Sequence, residues 1–111
     1  MDRIDRYREA VIQLVEEYAS YRPANGQIDT EAVVDRDRDH YEVMHIGWDG
    51  LRRVHGCVIH IDIRDGKVWV QYDGTTRPVA EELVAAGVPR EDIVLGFHPP
   101  DVRQHTAFAV G

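Results

Sequence analysis

Apolar residues recur at spacings of three and four near the start of the chain, which predicts a helix over residues 2–21. Arg22-Pro23-Ala24-Asn25-Gly26 follows and supplies both a helix stop and a turn. Polar and charged residues occupy the other sides, so we expect the helix to pack a single stripe against a sheet. The stripe consists of Ile4, Tyr7, Val11, Leu14, Val15 and Tyr18.

Between residues 28 and 73 the hydrophobic period changes to two, which is typical of β-strands. Asp49-Gly50 and Asp65-Gly66 interrupt this pattern, and Asp-Gly suits the positive φ angles of a type I′ hairpin turn. The pattern therefore predicts an antiparallel meander of about four strands. The predicted strands are Ile28–Asp35, His40–Trp48, Leu51–Ile63 and Lys67–Asp73.

Two-residue turns also predict which residues of neighbouring strands lie opposite each other. The predicted pairs are Trp48–Leu51, Ile46–Arg53 and Met44–His55 in the first hairpin, and Ile63–Val68, Ile61–Val70 and Ile59–Tyr72 in the second. Because side chains alternate along a strand, this register places one apolar set on a predicted core face. That face carries Met44, Ile46, Trp48, Leu51, Cys57, Ile59, Ile61, Ile63, Val68, Val70 and Tyr72.

The opposite side of the predicted sheet is also apolar and aromatic, which is unusual for a solvated surface. Either the second helix or another chain is expected to cover it. Arg53 falls on the predicted core face unless a β-bulge shifts the register, and a slip of one residue would exchange the two faces. The candidate partner or oligomer face consists of Tyr41, Val43, Arg52, Val54, Val58 and Trp69.

The last third of the chain predicts a short helix and a final apolar strand or tail. Residues 78–87 begin with a proline and end with a glycine, which is typical of helix ends. Residues 93–97 suit a buried strand or a core-filling segment, and residues 107–110 suit an apolar tail that docks. The chain is therefore predicted to form one α+β domain over residues 1–111.

The excess of acidic over basic residues argues against two classes of function. The chain has 111 residues and a net charge of −7, which argues against broad phosphate neutralisation on nucleic acid and against anionic membranes. Cys57 is the single cysteine and fits a reducing cytoplasm. The charged N-terminus lacks the pattern of a signal peptide, and no apolar run is long enough to span a bilayer.

Six histidines raise the question of a metal site. In the predicted register His45 and His60 share a face but lie about 20 Å apart, too far to share an ion. Cys57 has no cysteine companion for zinc. We therefore predict no metal and no cofactor.

A cysteine nucleophile is one enzyme alternative. The predicted register places Cys57 opposite Glu42, with His55 two residues along the strand and His40 on the diagonal. Cysteine, histidine and carboxylate can together form an activated thiolate. A hydrogen bond between Glu42 and His55, beside a simply buried Cys57, is the preferred interpretation.

A metal-dependent nuclease is the other enzyme alternative. Asp62, Asp65 and Lys67 are the residue types of such a site, provided that they converge on one ion. Asp65 lies in a tight turn, where Asp-Gly has a backbone explanation. No glycine-rich phosphate loop precedes a helix, and we predict no catalytic residues.

Several long segments match the pattern of a known family over nearly the whole chain. These segments are residues 38–41 (RDHY), 47–50 (GWDG), 53–63 (RVHGCVIHIDI), 65–71 (DGKVWVQ) and 87–98 (GVPREDIVLGFH), together with Arg103, Thr106 and residues 108–110. In these segments the chain resembles the XisI family, whose members are called fdxN element excision controlling factors.

The resemblance implies a cyanobacterial-type protein linked to programmed excision of a DNA element. In that system a separate recombinase cuts the DNA. The family is described as controlling it together with a companion, XisH, which looks like a restriction-endonuclease-type protein. The resemblance supplies no catalytic residues.

The resulting hypothesis is a non-enzymatic, cytoplasmic controlling factor that binds protein, with a XisH-like companion as the suspected partner. A homo-oligomer is expected, whereas direct nucleic-acid binding and membrane binding are not. One alternative is an antidote-like binder whose acidic surface masks a nuclease-type partner. The other is a small hydrolase or nuclease of unknown substrate.

Overall fold

The chain forms a five-stranded sheet with its two longer helices on one side, in a computed structural model that describes residues 2–23 and 26–111. The predicted α+β class is confirmed. Ala24 and Asn25 of the predicted first turn lie outside the described residues. The elements are α1 (Arg3–Ala19), β1 (Gln27–Asp35), β2 (His40–Asp49), β3 (Arg52–Arg64), β4 (Lys67–Asp73), α2 (Val79–Ala85), a 3₁₀ turn (Arg90–Asp92), β5 (Ile93–Leu95) and α3 (Pro100–Arg103).

Helix α1 begins where the polar and apolar pattern predicts it. The carboxylate of Asp2 caps the helix by accepting a hydrogen bond from the backbone N–H of Asp5 at 2.8 Å. The predicted stripe faces the sheet, since five of its six residues are buried and Ile4 is partly buried. Within the described residues, no helix is both long enough and apolar enough to cross a membrane.

The strands lie in the order β1-β2-β3-β4-β5. The first four form the predicted antiparallel meander, and β5 pairs parallel to β4. The predicted C-terminal strand is thus present. The predicted docking tail follows it, since Ala109 bridges to Val94 and donates its N–H to the Ile93 carbonyl at 2.8 Å.

The second hairpin forms as predicted close to its turn. Asp65 and Gly66 have φ angles of 52° and 78°, as a type I′ turn requires. Ile63 therefore pairs with Val68, and Ile61 with Val70. Beyond these pairs a bulge shifts the register, so Tyr72 lies opposite His60 and not opposite Ile59.

The first hairpin turns one residue later than predicted. Gly50 and Leu51 occupy the turn, and Trp48 therefore pairs with Arg53 instead of Leu51. Gly50 has a φ angle of 62°, whereas the φ angle of Leu51 is not positive. A positive φ at the first turn residue alone is the pattern of a type II′ turn. The physical reason is that glycine satisfies the first position of a II′ turn as readily as the second position of a I′ turn.

A bulge between β2 and β3 then moves the side chains of β2, and those of β3 before Val58, to the side of the sheet opposite the predicted one. Val58 has no partner in β2, because Met44 pairs with Cys57 and Val43 pairs with Ile59. An extra residue in a period-two pattern moves every later side chain to the other side. The helix face therefore carries Tyr41, Val43, Ile59, Ile61, Val68 and Val70. The opposite side, called the open face below, carries His40, Glu42, Met44, Ile46, Trp48, Arg53, His55, Cys57, His60 and Asp62.

Helix α2 completes the core beside α1. It spans Val79–Ala85, inside the predicted range, and Gly87 follows it with a φ of 106°. Val79 and Leu83 are fully buried. The Tyr18 hydroxyl of α1 donates to the Glu82 carboxylate at 3.1 Å, which links the two helices.

Candidate functional site

The candidate partner face predicted from the sequence does not form one surface. Tyr41 and Val43 are 0% and 1% exposed and lie under α1, and Val58 packs against the same core. The sequence left open whether the second helix or another chain covers these three residues, and in the structure they pack into the core of the chain itself, on the side of α1. The reason is the bulge at Val58, which turns Tyr41 and Val43 toward the helix.

The other three residues of that predicted set lie apart from one another. Arg52 is exposed at the hairpin turn, where it pairs with Asp49 at 3.4 Å. Val54 pairs with Gly47 and is half-buried. Trp69 pairs with Asp62, on the side of the sheet opposite α1 and α2.

Trp69 is covered by the chain itself. The guanidinium groups of Arg64 and Arg103 each lie 5.2 Å from the Trp69 ring centroid. Such cation–π contacts, together with the C-terminal segment that carries Arg103, hold the ring in place. Trp69 therefore belongs to the packing of the C-terminal segment and does not form an open docking surface.

The largest uncovered aromatic on the open face is Trp48, which is 50% exposed. Arg53 lies 5.2 Å above its ring and donates to the Gly47 carbonyl at 3.3 Å. Met44 and Ile46 lie on the same side and are only partly buried. Of the two alternatives for Arg53, the β-bulge is confirmed, because this charged side chain lies on the open face and is exposed to solvent.

The predicted cysteine constellation is not assembled. Burial, and then the nearby Glu42 carboxylate, raise the pKa of the Cys57 thiol, so it stays protonated near neutral pH. Its S–H donates to the Ile59 carbonyl at 3.1 Å. Glu42 lies opposite His60 and not beside His55, so the expected Glu42–His55 hydrogen bond is wrong as well.

The register brings together a different set, which we call the His–Asp cluster: His40, His60 and Asp62. His40 of β2 lies directly opposite Asp62 of β3, and His60 precedes Asp62 by two residues on the same side. The Nδ1 of His40 lies 2.7 Å from Asp62 Oδ1, and the Nε2 of His60 lies 2.8 Å from the same oxygen. Asp62 is 5% exposed, the one buried charged side chain among the described residues.

The cluster is electrostatically coupled. Burial by itself raises the pKa of Asp62, but hydrogen bonds from His40, His60 and Gln71 outweigh it and hold the pKa below its usual value. The same hydrogen bond to Asp62 raises the pKa of His40. Since an ionised carboxylate only accepts, the imidazole nitrogens that face Asp62 Oδ1 carry protons.

Two further groups surround the cluster. Gln71 donates its side-chain N–H to Asp62 Oδ2 at 3.2 Å. The Glu42 carboxylate lies 3.8 Å from the other ring nitrogen of His60, Nδ1. The buried Asp62 carboxylate therefore lies between the imidazoles of His40 and His60, and the Glu42 carboxylate faces the other nitrogen of the His60 ring.

Sequence reasoning missed this cluster for a geometric reason. The predicted register separated His40 from Asp62, and it placed His45 on the same face as His60. With the bulge, His45 lies opposite Gly56 on the other side of the sheet from His60. Two changes to the predicted register bring His40 opposite Asp62: the turn at Gly50-Leu51 and the bulge at Val58.

The residues of the nuclease alternative do not converge within the described residues. Asp65 lies in the hairpin turn, and Lys67 pairs with Arg64, two register positions from Asp62. The hydrogen bonds and ion pairs of Asp62 go to His40, His60 and Gln71 instead.

Comparison with known proteins agrees with this fold. The sequence model of the XisI family, described as XisI protein, matches residues 1–110. A XisI-like protein from Anabaena variabilis ATCC 29413 is 46% identical, with a TM-score of 0.92, over 98% of this chain and 100% of that one. The fdxN element excision controlling factor XisI from the same organism is 32% identical, with a TM-score of 0.85, over 99% and 100%. Comparison with curated proteins finds no match. The chain is a member of the XisI family.

Proposed function

We propose that this chain is a non-enzymatic controlling factor in the excision of a DNA element, and that it acts by binding protein. The family is tied to excision control through the fdxN element excision controlling factor, which shares 32% of its residues with this chain. The suspected partner is a XisH-like companion, and the proposed docking surface is the open face around Trp48.

The observation that supports this proposal is the uncovered Trp48–Arg53 pair beside Met44 and Ile46. Tryptophan, methionine and arginine are the residue types enriched in protein interfaces. The two longer helices, α1 and α2, pack on the other side of the sheet, and Trp48 is half exposed. Tryptophan and arginine are also enriched at the few positions that dominate the binding energy of an interface.

The charges around this surface favour a basic partner. On edge strand β1, Asp29 lies opposite Ile46 and Glu31 lies opposite Met44, and both acids are exposed. The chain as a whole carries a net charge of −7. A protein that itself handles DNA presents basic groups, so charge complementarity speeds its encounter with this surface.

The test is co-purification with a XisH-like companion, followed by a titration of the purified pair. Trp48→Ala is expected to weaken the complex about thirtyfold, the loss typical of a dominant interface aromatic. Phe97→Ala is the matched control, because Phe97 is an aromatic of similar exposure, 46%, just beyond β5. Circular dichroism verifies that both variants are folded.

Failure of the wild-type chain to form any complex at micromolar concentration would refute the proposal, as would equal binding by the Trp48 and Phe97 variants. Light scattering measures the molar mass of the chain alone, and a dimer would indicate that a second copy of the chain occupies the same surface. The antidote alternative is favoured by the acidic rim, and it requires that the companion alone nick DNA and that the chain suppress this activity. A band shift of DNA at low salt would support direct nucleic-acid binding instead.

A further inference from the structure

We propose that the His–Asp cluster binds one divalent first-row transition-metal ion, with His40, His60 and Asp62 as its protein ligands. One ligand atom from each residue lies within 4.8 Å of the other two. Two imidazole nitrogens and one carboxylate oxygen are a donor set that suits zinc, cobalt and iron, whereas magnesium and calcium prefer oxygen donors alone.

The distances fit an ion after a small adjustment. Metal bonds of about 2.0–2.1 Å in tetrahedral geometry separate neighbouring ligand atoms by about 3.3 Å. The two nitrogens lie 2.7 and 2.8 Å from Asp62 Oδ1, so each separation opens by about half an ångström. Rotation of the His40 and His60 side chains can supply these changes, since 51% and 31% of the two side chains are exposed.

The surroundings of the cluster resemble the outer sphere of a metal site. A ligating histidine commonly directs its second ring nitrogen at a carboxylate, and a ligating carboxylate is commonly held by a further hydrogen bond. Glu42 lies 3.8 Å from His60 Nδ1, and Gln71 donates to Asp62 Oδ2 at 3.2 Å. With an ion on His60 Nε2, the proton of a neutral His60 ring would lie on Nδ1, the nitrogen that faces the Glu42 carboxylate.

The site has room for an outside ligand. Asp62 is buried at the sheet, but His40 on its outer side is exposed, so the ion would face solvent. Three protein ligands leave the fourth tetrahedral position for water or for a side chain of a bound protein.

The decisive experiment is calorimetric titration of the tag-free chain with Zn²⁺, and with Co²⁺ followed by its visible absorption. We expect one ion per chain, and we expect His40→Ala and His60→Ala each to weaken binding at least tenfold. His55→Ala is the matched control on the same face, and it should bind as the wild type does. Gln71→Ala is expected to weaken binding about tenfold through Asp62.

The absence of saturable Zn²⁺ binding to the wild-type chain would overturn the proposal. So would stoichiometric binding that His40→Ala and His60→Ala leave unchanged. If His60→Ala is unfolded by circular dichroism, the His40 variant decides, because its exposed side chain contributes little to packing. Comparable binding of Mg²⁺ would likewise contradict the stated donor chemistry.

Discussion

Substitution of Tyr41 tests whether the bulge at Val58 places this side chain in the core. The predicted register placed Tyr41 outside the core and Leu51 within it, whereas in the structure Tyr41 is 0% exposed and Leu51 is 100% exposed. Replacing each residue by alanine therefore separates the two arrangements. Only the buried side chain leaves a cavity when it is shortened.

The expected magnitudes follow from burial and hydrogen bonding. Removal of a buried aromatic ring costs about 4 kcal/mol of unfolding free energy, so we expect this loss for Tyr41→Ala. Tyr41→Phe removes only the hydroxyl, which donates to Asp39 Oδ1 at 2.7 Å, and should cost about 1.5 kcal/mol. Leu51→Ala should change the free energy by less than about 0.5 kcal/mol.

Urea unfolding followed by circular dichroism measures these differences. With a slope of about 1.5 kcal/mol per molar urea, the Tyr41→Ala midpoint is expected to fall by more than about 2 M. The Leu51→Ala midpoint should coincide with that of the wild type. A larger loss for Leu51→Ala than for Tyr41→Ala would refute the bulge and restore the predicted register.

Three further predictions concern Asp39, Gly47 and Cys57. Hydrogen bonds from Arg8 hold the pKa of Asp39 below its ordinary value of 3.8, so this carboxylate stabilises the fold above that pH and ceases to do so as the pH falls through its lowered pKa. Asp39→Asn is thus expected to be less stable than the wild type at pH 7, with the gap closing in acid. A Cβ at Gly47 would clash with the backbone carbonyl oxygen of Gln27 in β1, so Gly47→Ala should displace the edge strand and expose its amides to hydrogen exchange. Because burial raises the pKa of Cys57, its reaction with a disulfide reagent at pH 7 should be slower than that of a free cysteine peptide.

Each of these three predictions has a clear contrary result. A stability gap for Asp39→Asn that is constant from neutral to acid pH would show that its charge plays no part. Unchanged exchange of the β1 amides in Gly47→Ala would mean that the strand tolerates the added carbon. Rapid modification of Cys57 at pH 7 would indicate an activated thiolate and revive the cysteine enzyme alternative.

Local patterns were sufficient for most of the fold. The amphipathic stripe of α1, the Asp65-Gly66 turn, and the start and end of α2 at Pro78 and Gly87 each depend on residues close together in sequence, and each was predicted. The His–Asp cluster was not predicted, because it depends on a register across two strands. The family resemblance was carried by long local segments, so it could also be found without the structure.

The amino-acid sequence by itself determined the types of the longer elements, the α+β class and the order of the first four strands, because turn chemistry and hydrophobic period act over a few residues. Tertiary structure decided which side of the sheet each residue occupies. The bulge at Val58 is selected by packing, since it buries Tyr41 and Val43 beneath α1 and leaves Arg53 in water. A period of two cannot reveal such an insertion, yet one extra residue inverts everything after it. That inversion assembled His40, His60 and Asp62 on the open face.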